Sequence, residues 1–303
     1  MFSRSKPVIR LCCFLAPLAV LPPALAETDL EEVIVQVTRI EKPQTAVPGT
    51  VTIIDRQTVA LQSQIADDLA SVLSRTVPGF APSSQKLAGR GETLRGRNPL
   101  YLIDGVPQHN ALRDGQRDGH SLDLAFVDRI EVINGSNAIQ GVGATGGVVN
   151  TVTQSPLFSR DWQYTVGARL SADDGFDSDA QSYKLHATAT GGNEEFAVLV
   201  GAALHERGLF IDANGDAVGL YPTQGDIMDS TSLNLFVKAA WRMSDDLSLT
   251  MMISDFDLQR NGDFRSVNGD RATELPTGTM TGDPSADVGD PARNEVTTVT
   301  ATV

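Results

Sequence analysis

The chain has 303 residues, 41% of them hydrophobic and 20% charged, which excludes both a disordered chain and a plainly helical membrane protein. Its net charge of −14 excludes the basic stripe that a nucleic-acid-binding surface needs. The length fits about two domains on a prior of roughly 100–200 residues each.

Residues 1–26 have the pattern of a cleaved export signal. Arg4, Lys6 and Arg10 form a positive start, an apolar stretch runs from Leu11 to Leu21, and Ala24-Leu25-Ala26 offers small residues at a peptidase spacing. As a membrane anchor the apolar run is short against the about 20 residues of a bilayer span. Pro17, Pro22 and Pro23 also break it. Cleavage removes those three positive charges and no acidic one, which takes the net charge from −14 to −17. Both cysteines, Cys12 and Cys13, leave with the signal, so the mature chain has no disulfide staple. No later stretch is continuously apolar over 18 residues, which excludes helical spans and leaves strand spans open.

Residues 27–44 contain Glu32, Val33, Ile34, Val35, Gln36, Val37 and Thr38, a short β-branched segment near the mature N-terminus. Such a segment can add itself as a strand to a partner's exposed sheet edge. Residues 45–155 form a compact mixed α/β domain in this reading. Val51-Thr52-Ile53-Ile54 is a strand. Ile65, Leu69, Val72 and Leu73 recur at helical spacing over residues 65–75, and Pro78-Gly79 ends that helix. Tyr101-Leu102-Ile103 is a strand closed by the turn Asp104-Gly105, and residues 129–133 and 148–153 are two more. Gly141, Gly143 and Gly146 spell a GxGxxG pattern, but the β-branched Val148, Val149, Thr151 and Val152 that follow favour a strand over a phosphate-holding helix. The glycines are therefore assigned to tight turns and close packing.

From residue 156 to 303 the texture changes to long alternating strands. Trp162, Tyr164, Val166, Ala168 and Leu170 share one face. Tyr183, Leu185, Ala187 and Ala189 do the same, as do Phe196, Val198, Val200, Ala202 and Leu204. Leu233, Leu235, Val237, Ala239 and Trp241 follow, then Leu247, Leu249, Met251 and Ile253, and a last strand starts near Glu295. The connections at 172–180, 191–195, 206–231, 243–246 and 258–294 alternate between long and short. Outer-membrane barrels alternate short periplasmic turns with long extracellular loops, whereas a soluble sandwich has no reason to. Trp162, Tyr164 and Trp241 near strand ends suit an aromatic girdle. The expected fold is a mixed α/β domain followed by antiparallel transmembrane β-barrel strands, an incomplete barrel of about six. Asp212, Asn214 and Asp216 imitate a calcium loop, but Ala217 and Thr223 stand where an EF-hand needs Gly and Glu. There is no cysteine nucleophile, nucleophile elbow or His-Glu-x-x-His, so no enzyme is expected and no cofactor is implied.

Several motifs together resemble the plug of TonB-dependent outer-membrane receptors. They are Val77-Pro78-Gly79, Leu94-Arg95-Gly96-Arg97, the run from Tyr101 to Pro107, the run from Val127 to Ile133, and Gly141 to Thr153, in that order and spacing. The resemblance implies four parts: signal 1–26, a TonB-box segment 27–44 with its box at Glu32 to Thr38, plug 45–155, and barrel strands 156–303. It implies energy-coupled uptake across the Gram-negative outer membrane, with TonB, outer-membrane lipid and a ferric siderophore as partners and no nucleic acid. Haem and cobalamin are rival ligands, and a non-transporting plug-and-partial-barrel module from a shortened gene is the rival function. A diffusion porin needs neither plug nor box. By the same resemblance Arg95, Arg129 and Glu131 are candidates for plug–barrel contact. The apical loops at 85–90 and 108–120 are candidates for ligand contact, through Arg90, His109, Arg113, Arg117 and His120. Arginine suits an anionic chelate, and histidine suits haem iron. Plugged transporters use about 22 strands, so the chain as written is expected to be a fragment unable to transport alone.

Overall fold

The computed structural model describes residues 34–35, 42–43, 49–89, 91–108, 117–136, 143–219, 227–244, 246–262, 264–275, 278–281 and 293–303. Near its start β1 (Ile34–Val35) pairs antiparallel with β2 (Lys42–Pro43), Ile34 opposite Pro43.

The plug is a five-stranded mixed sheet with two short helices. Its strands β3 (Val51–Ile54), β4 (Pro99–Ile103), β5 (Val106–Pro107), β6 (Val127–Asn134) and β7 (Gly147–Thr153) lie in the order β3-β6-β7-β4-β5. Only β4 and β7 run parallel. All residues of both are buried, which explains why their sequences are continuously apolar or small and do not alternate. Val72, Leu73, Leu94, Ile130, Val132 and Val149 pack on one face, and Leu100, Leu102, Ile133 and Val148 on the other. The β4–β5 turn uses Asp104 at φ 47° and Gly105 at φ 78°, the left-handed pair that a tight two-residue hairpin requires.

Two helical details differ from the sequence reading. The expected helix begins at Leu69, not at Ile65, because Asp68 caps it by accepting from the Ser71 amide at 2.8 Å. Ile65 stays outside and is 70% exposed. That helix is α2 (Leu69–Thr76), and before it lies α1 (Arg56–Ser63), which was not expected. Asp55 caps α1 through the Thr58 amide at 2.7 Å, and Val59 is its one buried residue, so its sequence carries little amphipathic signal.

The second sheet contains β8 (Gln163–Ser171), β9 (Ser182–Gly192), β10 (Phe196–Arg207), β11 (Ser230–Ser244), β12 (Leu247–Arg260) and β15 (Arg293–Thr302). They pair antiparallel in the order β15-β12-β11-β10-β9-β8, so this is an open sheet with β15 and β8 at its edges. The alternation of long and short connections holds. Within the longest expected loop, however, β13 (Phe264–Val267) and β14 (Gly278–Thr281) form a separate hairpin.

The registers align apolar residues across the strands. Val200 faces Ala189 and Val237, Val237 faces Ile253, and Ile253 faces Val299. All four valines and isoleucines of that row are exposed. Trp162, Tyr164, Phe196 and Trp241 are exposed at one end of the sheet, with Phe196 opposite Trp241 and Trp162 stacked on Tyr164 at 6.4 Å. On β12 the same face turns polar at Asp255 and Asp257, beyond Ile253. The opposite face is buried, because the plug rests on it.

Candidate functional site where the plug meets the wall

The apolar part of the contact centres on Phe126, in a 3-10 turn (Leu124–Phe126) capped by Asp123 through the Ala125 amide at 2.8 Å. The ring is fully buried and stacks on Phe236 of the wall, with centroids 5.0 Å apart and planes 11° apart. Gly201 opposes it closely: a Cβ there would stand 2.4 Å from Phe126 Cε1. Ile103 from the plug and Leu199, Ala203 and Met252 from the wall complete the cluster.

Around this seat the contact is charged. Lys184 Nζ lies 2.7 Å from Asp67 Oδ2 and 2.6 Å from Asp123 Oδ1, with all three side chains buried. His205 Nδ1 and Arg169 Nη2 also approach Asp67, at 3.1 and 3.4 Å. Burial alone would push the Asp67 carboxyl up, but Lys184, His205 and Arg169 together hold it well below the usual carboxylate range. A second lysine, Lys238, donates to Asp104 Oδ2 at 2.9 Å and to Thr153 Oγ1 at 2.7 Å. Asn234 Oδ1 accepts from the Asp123 amide at 2.8 Å, while its amide nitrogen donates to Ser254 Oγ at 2.9 Å. Inward-facing Lys184, Asn234 and Lys238 on β9 and β11 thus meet carboxylates and backbone at two tight turns of the plug.

The motif residues take different places. Arg129 pairs with Glu131 at 2.8 Å within β6. Glu131 accepts from Asn150 Nδ2 at 3.2 Å, and Asn150 Oδ1 accepts from the Gly105 amide at 2.9 Å. This chain of bonds braces the Asp104–Gly105 turn that grips Lys238. Arg95 is exposed at φ 54°, its amide donating to Gly79 O at 2.7 Å and its side chain packed under that glycine. The described charged contacts with the wall run through Asp67, Asp104 and Asp123, which the sequence reading did not single out. Paired aspartates before a helix and lysines on a non-lipid face were the available signals.

Of the ligand candidates, Arg90, His109 and Arg113 lie outside the described residues, as do Glu32, Val33, Gln36, Val37 and Thr38 of the N-terminal segment. Arg117, at φ 74°, donates to Arg293 O of the wall at 2.5 Å. His120 is buried, with Nε2 3.2 Å from Lys86 O and its own carbonyl accepting from Asn294 Nδ2 at 2.5 Å. Burial pushes its imidazole down and Asp68 opposes this. Leu87 packs with Ile227, Phe256 and Leu258, so the described parts of both apical loops are fastened to the wall. A cavity of about 710 Å³ separates α1 from β8 and β9, lined by Arg56, Ser63, Asp67, Arg169, Lys184 and His186 among others. Among the described residues no cluster of His, Cys, Asp or Glu is placed to hold a metal ion.

A mixed plug seated by charge and packing on one face of an antiparallel sheet, whose other face is exposed and apolar, defines the class: a plug followed by strands of a partial, unclosed barrel. Residues 43–148 match the model of the TonB-dependent receptor plug domain. The chain is 28% identical over 248 residues to the ferric aerobactin receptor of Klebsiella pneumoniae, covering 82% of this chain and 33% of that protein. It is 26% identical over 245 residues to the rhizobactin receptor of Rhizobium meliloti strain 1021, covering 79% and 32%. The chain therefore spans about a third of the length of these curated relatives. Among solved structures, the ferripyoverdine receptor of the outer membrane of Pseudomonas aeruginosa aligns with TM-score 0.56 at 17% identity, over 89% of this chain and 33% of that one. A siderophore receptor of Acinetobacter baumannii aligns with TM-score 0.53 at 19% identity, over 75% and 35%.

Proposed function

We propose that this chain is the plug-bearing portion of an outer-membrane receptor that imports a ferric siderophore with energy supplied through TonB. The observation that carries the reading is the plug's seat: buried Lys184 and Lys238 grip it on one face of a sheet whose other face is an apolar belt suited to lipid. The relatives named as ferric aerobactin and rhizobactin receptors support a siderophore over haem or cobalamin. In this reading residues 1–26 are removed at export, and residues 27–44 reach the energy-coupling partner through the box at Glu32 to Thr38. Arg90, His109, Arg113, Arg117 and His120 belong to the loops that meet the chelate. Arg95, Arg129 and Glu131 stabilise the plug against the wall.

The test is binding and uptake by the receptor that carries this chain. Titration with ferric aerobactin, ferric enterobactin, haem and cobalamin is expected to show saturable binding of a ferric siderophore alone. Saturable binding of haem or cobalamin without any siderophore overturns the ligand assignment. Ile34→Pro and Val35→Pro remove backbone donors needed for strand addition. They are expected to abolish radioiron uptake while leaving binding intact, and undiminished uptake refutes coupling through this segment.

A further inference from the structure

Beneath the apical loops the plug buries an acid that no cation among the described residues neutralises. Glu92 is 4% exposed, and its Oε1 is inaccessible and without a hydrogen-bond partner. Among the described residues, the groups packed around it do not supply a cation. From the α2 cap comes Asp68, fixed by the Ser71 amide at 2.8 Å and Ser83 Oγ at 3.0 Å. From β4 comes the Tyr101 hydroxyl, also buried and without a partner. The 117–121 segment contributes Asp118, which acts on Tyr101, and His120, whose ring is turned to Lys86 O. The wall cation Arg207 acts on His120. Gly119 closes the site from above, where a Cβ would stand 3.8 Å from Glu92 Oε2. Ionised carboxylates buried without donors or cations do not persist, and such groups take up a proton instead.

We propose that Glu92 is a proton-binding site in the plug core, and that losing this proton to solvent loosens the 117–121 segment carrying Arg117 and His120. The neutral acid is compatible with Asp68 and Tyr101 at close quarters. The anion would add a second negative charge beside Asp68, directly under the segment whose Gly119 packs over Glu92 Oε2. Burial first, and Asp68 second, push the carboxyl up from 4.5 to about 7. The direction follows from linkage: the folded plug binds the proton more tightly than the unfolded chain. Glu92 therefore withdraws stability progressively as pH rises from 4.5 to about 7.

The experiment needs no siderophore, so its failure is separable from failure of the uptake reading. The chain is labelled with ¹³C-carboxyl glutamate, placed in detergent and titrated by infrared spectroscopy from pH 5 to pH 9. One protonated glutamic carbonyl band is expected to survive at pH 6 and to vanish with a midpoint near 7. Glu92→Gln removes that band, and the amide protection factors in 117–121, which fall across the same range in the unaltered chain, become independent of pH. Asp68→Asn keeps a competent helix cap and moves the midpoint downward. Full ionisation of all glutamates by pH 6 overturns the proposal, as does a band that persists in Glu92→Gln. If Glu92→Gln does not fold, the titration of the unaltered chain and the Asp68→Asn shift decide, and an unmoved midpoint refutes it.

Discussion

Lys184→Met separates charge from packing in the seating of the plug. Methionine keeps most of the apolar stem and deletes the ammonium that touches Asp67 at 2.7 Å and Asp123 at 2.6 Å. Removing one partner of a buried ion pair costs roughly 3–5 kcal/mol, because the other charge stays buried. Asp67 keeps His205 at 3.1 Å and Arg169 at 3.4 Å, and Asp123 keeps the Ala125 amide at 2.8 Å. The lower end therefore applies. A loss of about 3 kcal/mol is roughly a hundredfold in the population of unseated plug. Native-state hydrogen exchange reads that population directly. Amides of α2 and of the capped turn at Leu124–Phe126 are expected to exchange about a hundredfold faster, while β10 and β11 hold. Arg293→Ala is the control: its pair with Asp257 at 2.8 Å is half exposed, at 49% for the arginine side chain. Exposed pairs contribute at most about 1 kcal/mol. Neutralising all three groups, as Lys184→Met with Asp67→Asn and Asp123→Asn, is expected to recover most of the loss, since the one cation that loses a carboxylate, Arg169, is partly exposed and keeps the Ser63 carbonyl. Exchange in Lys184→Met no faster than in Arg293→Ala would refute the charge reading.

Gly201→Ala drives a methyl to within 2.4 Å of Phe126 Cε1. Thermal unfolding should show a loss of about 1–3 kcal/mol that disappears in a Phe126→Ala background. Asn150→Ala removes the donor to Glu131 Oε2 and strands the Gly105 amide, so urea unfolding should show a loss of about 1–3 kcal/mol. Asp67 has a depressed folded pKa, so its stabilisation is present above the ordinary carboxylate value of 3.8 and lost as pH falls through the lower folded value. The difference in exchange-measured seating between the unaltered chain and Asp67→Asn should be constant above the ordinary carboxylate value of 3.8 and narrow only as pH falls below it towards the lower folded value; a difference that vanishes already at pH 6 would contradict this.

What could be read from sequence was what one period or one motif encodes. The alternation in residues 233–241 gave both the strand and its exposed face, because every second side chain meets the same medium. The Asp104-Gly105 turn was legible because few residue pairs tolerate its backbone. Helix α1 was not, since Val59 is its sole buried side chain and leaves no stripe to recognise. The contacts of the seat were not legible for a different reason. Asp67 and Lys184 are 117 positions apart, and Asp104 and Lys238 are 134 apart. Nothing local to Asp67 distinguishes it from Asp68, yet one caps a helix and the other meets the wall. The alternation puts Lys238 on the face opposite Leu233, Leu235 and Val237, but a polar lining and a plug contact have the same alternation.

The division of labour at the seat bears on how a plug can be both held and released. Phe126, Phe236 and their neighbours supply apolar contact that varies smoothly with position, so it favours closeness without fixing register. Lys184 and Lys238 do the reverse. Buried ion pairs add little net stability over an apolar substitute, but they are severe on misplacement, because a shifted plug leaves a lysine facing no carboxylate. Both lysines meet aspartates at rigid corners: Asp123 at a cap, and Asp104 at a left-handed turn braced by Asn150. A pull that bends either corner would remove the partner of a buried charge at once instead of sliding along a graded surface. On this arrangement the seat is specific at rest and opens abruptly once one corner yields, which is why the Lys184→Met and Asn150→Ala effects are expected to be less than additive: the second change acts on a seat that has already lost its register.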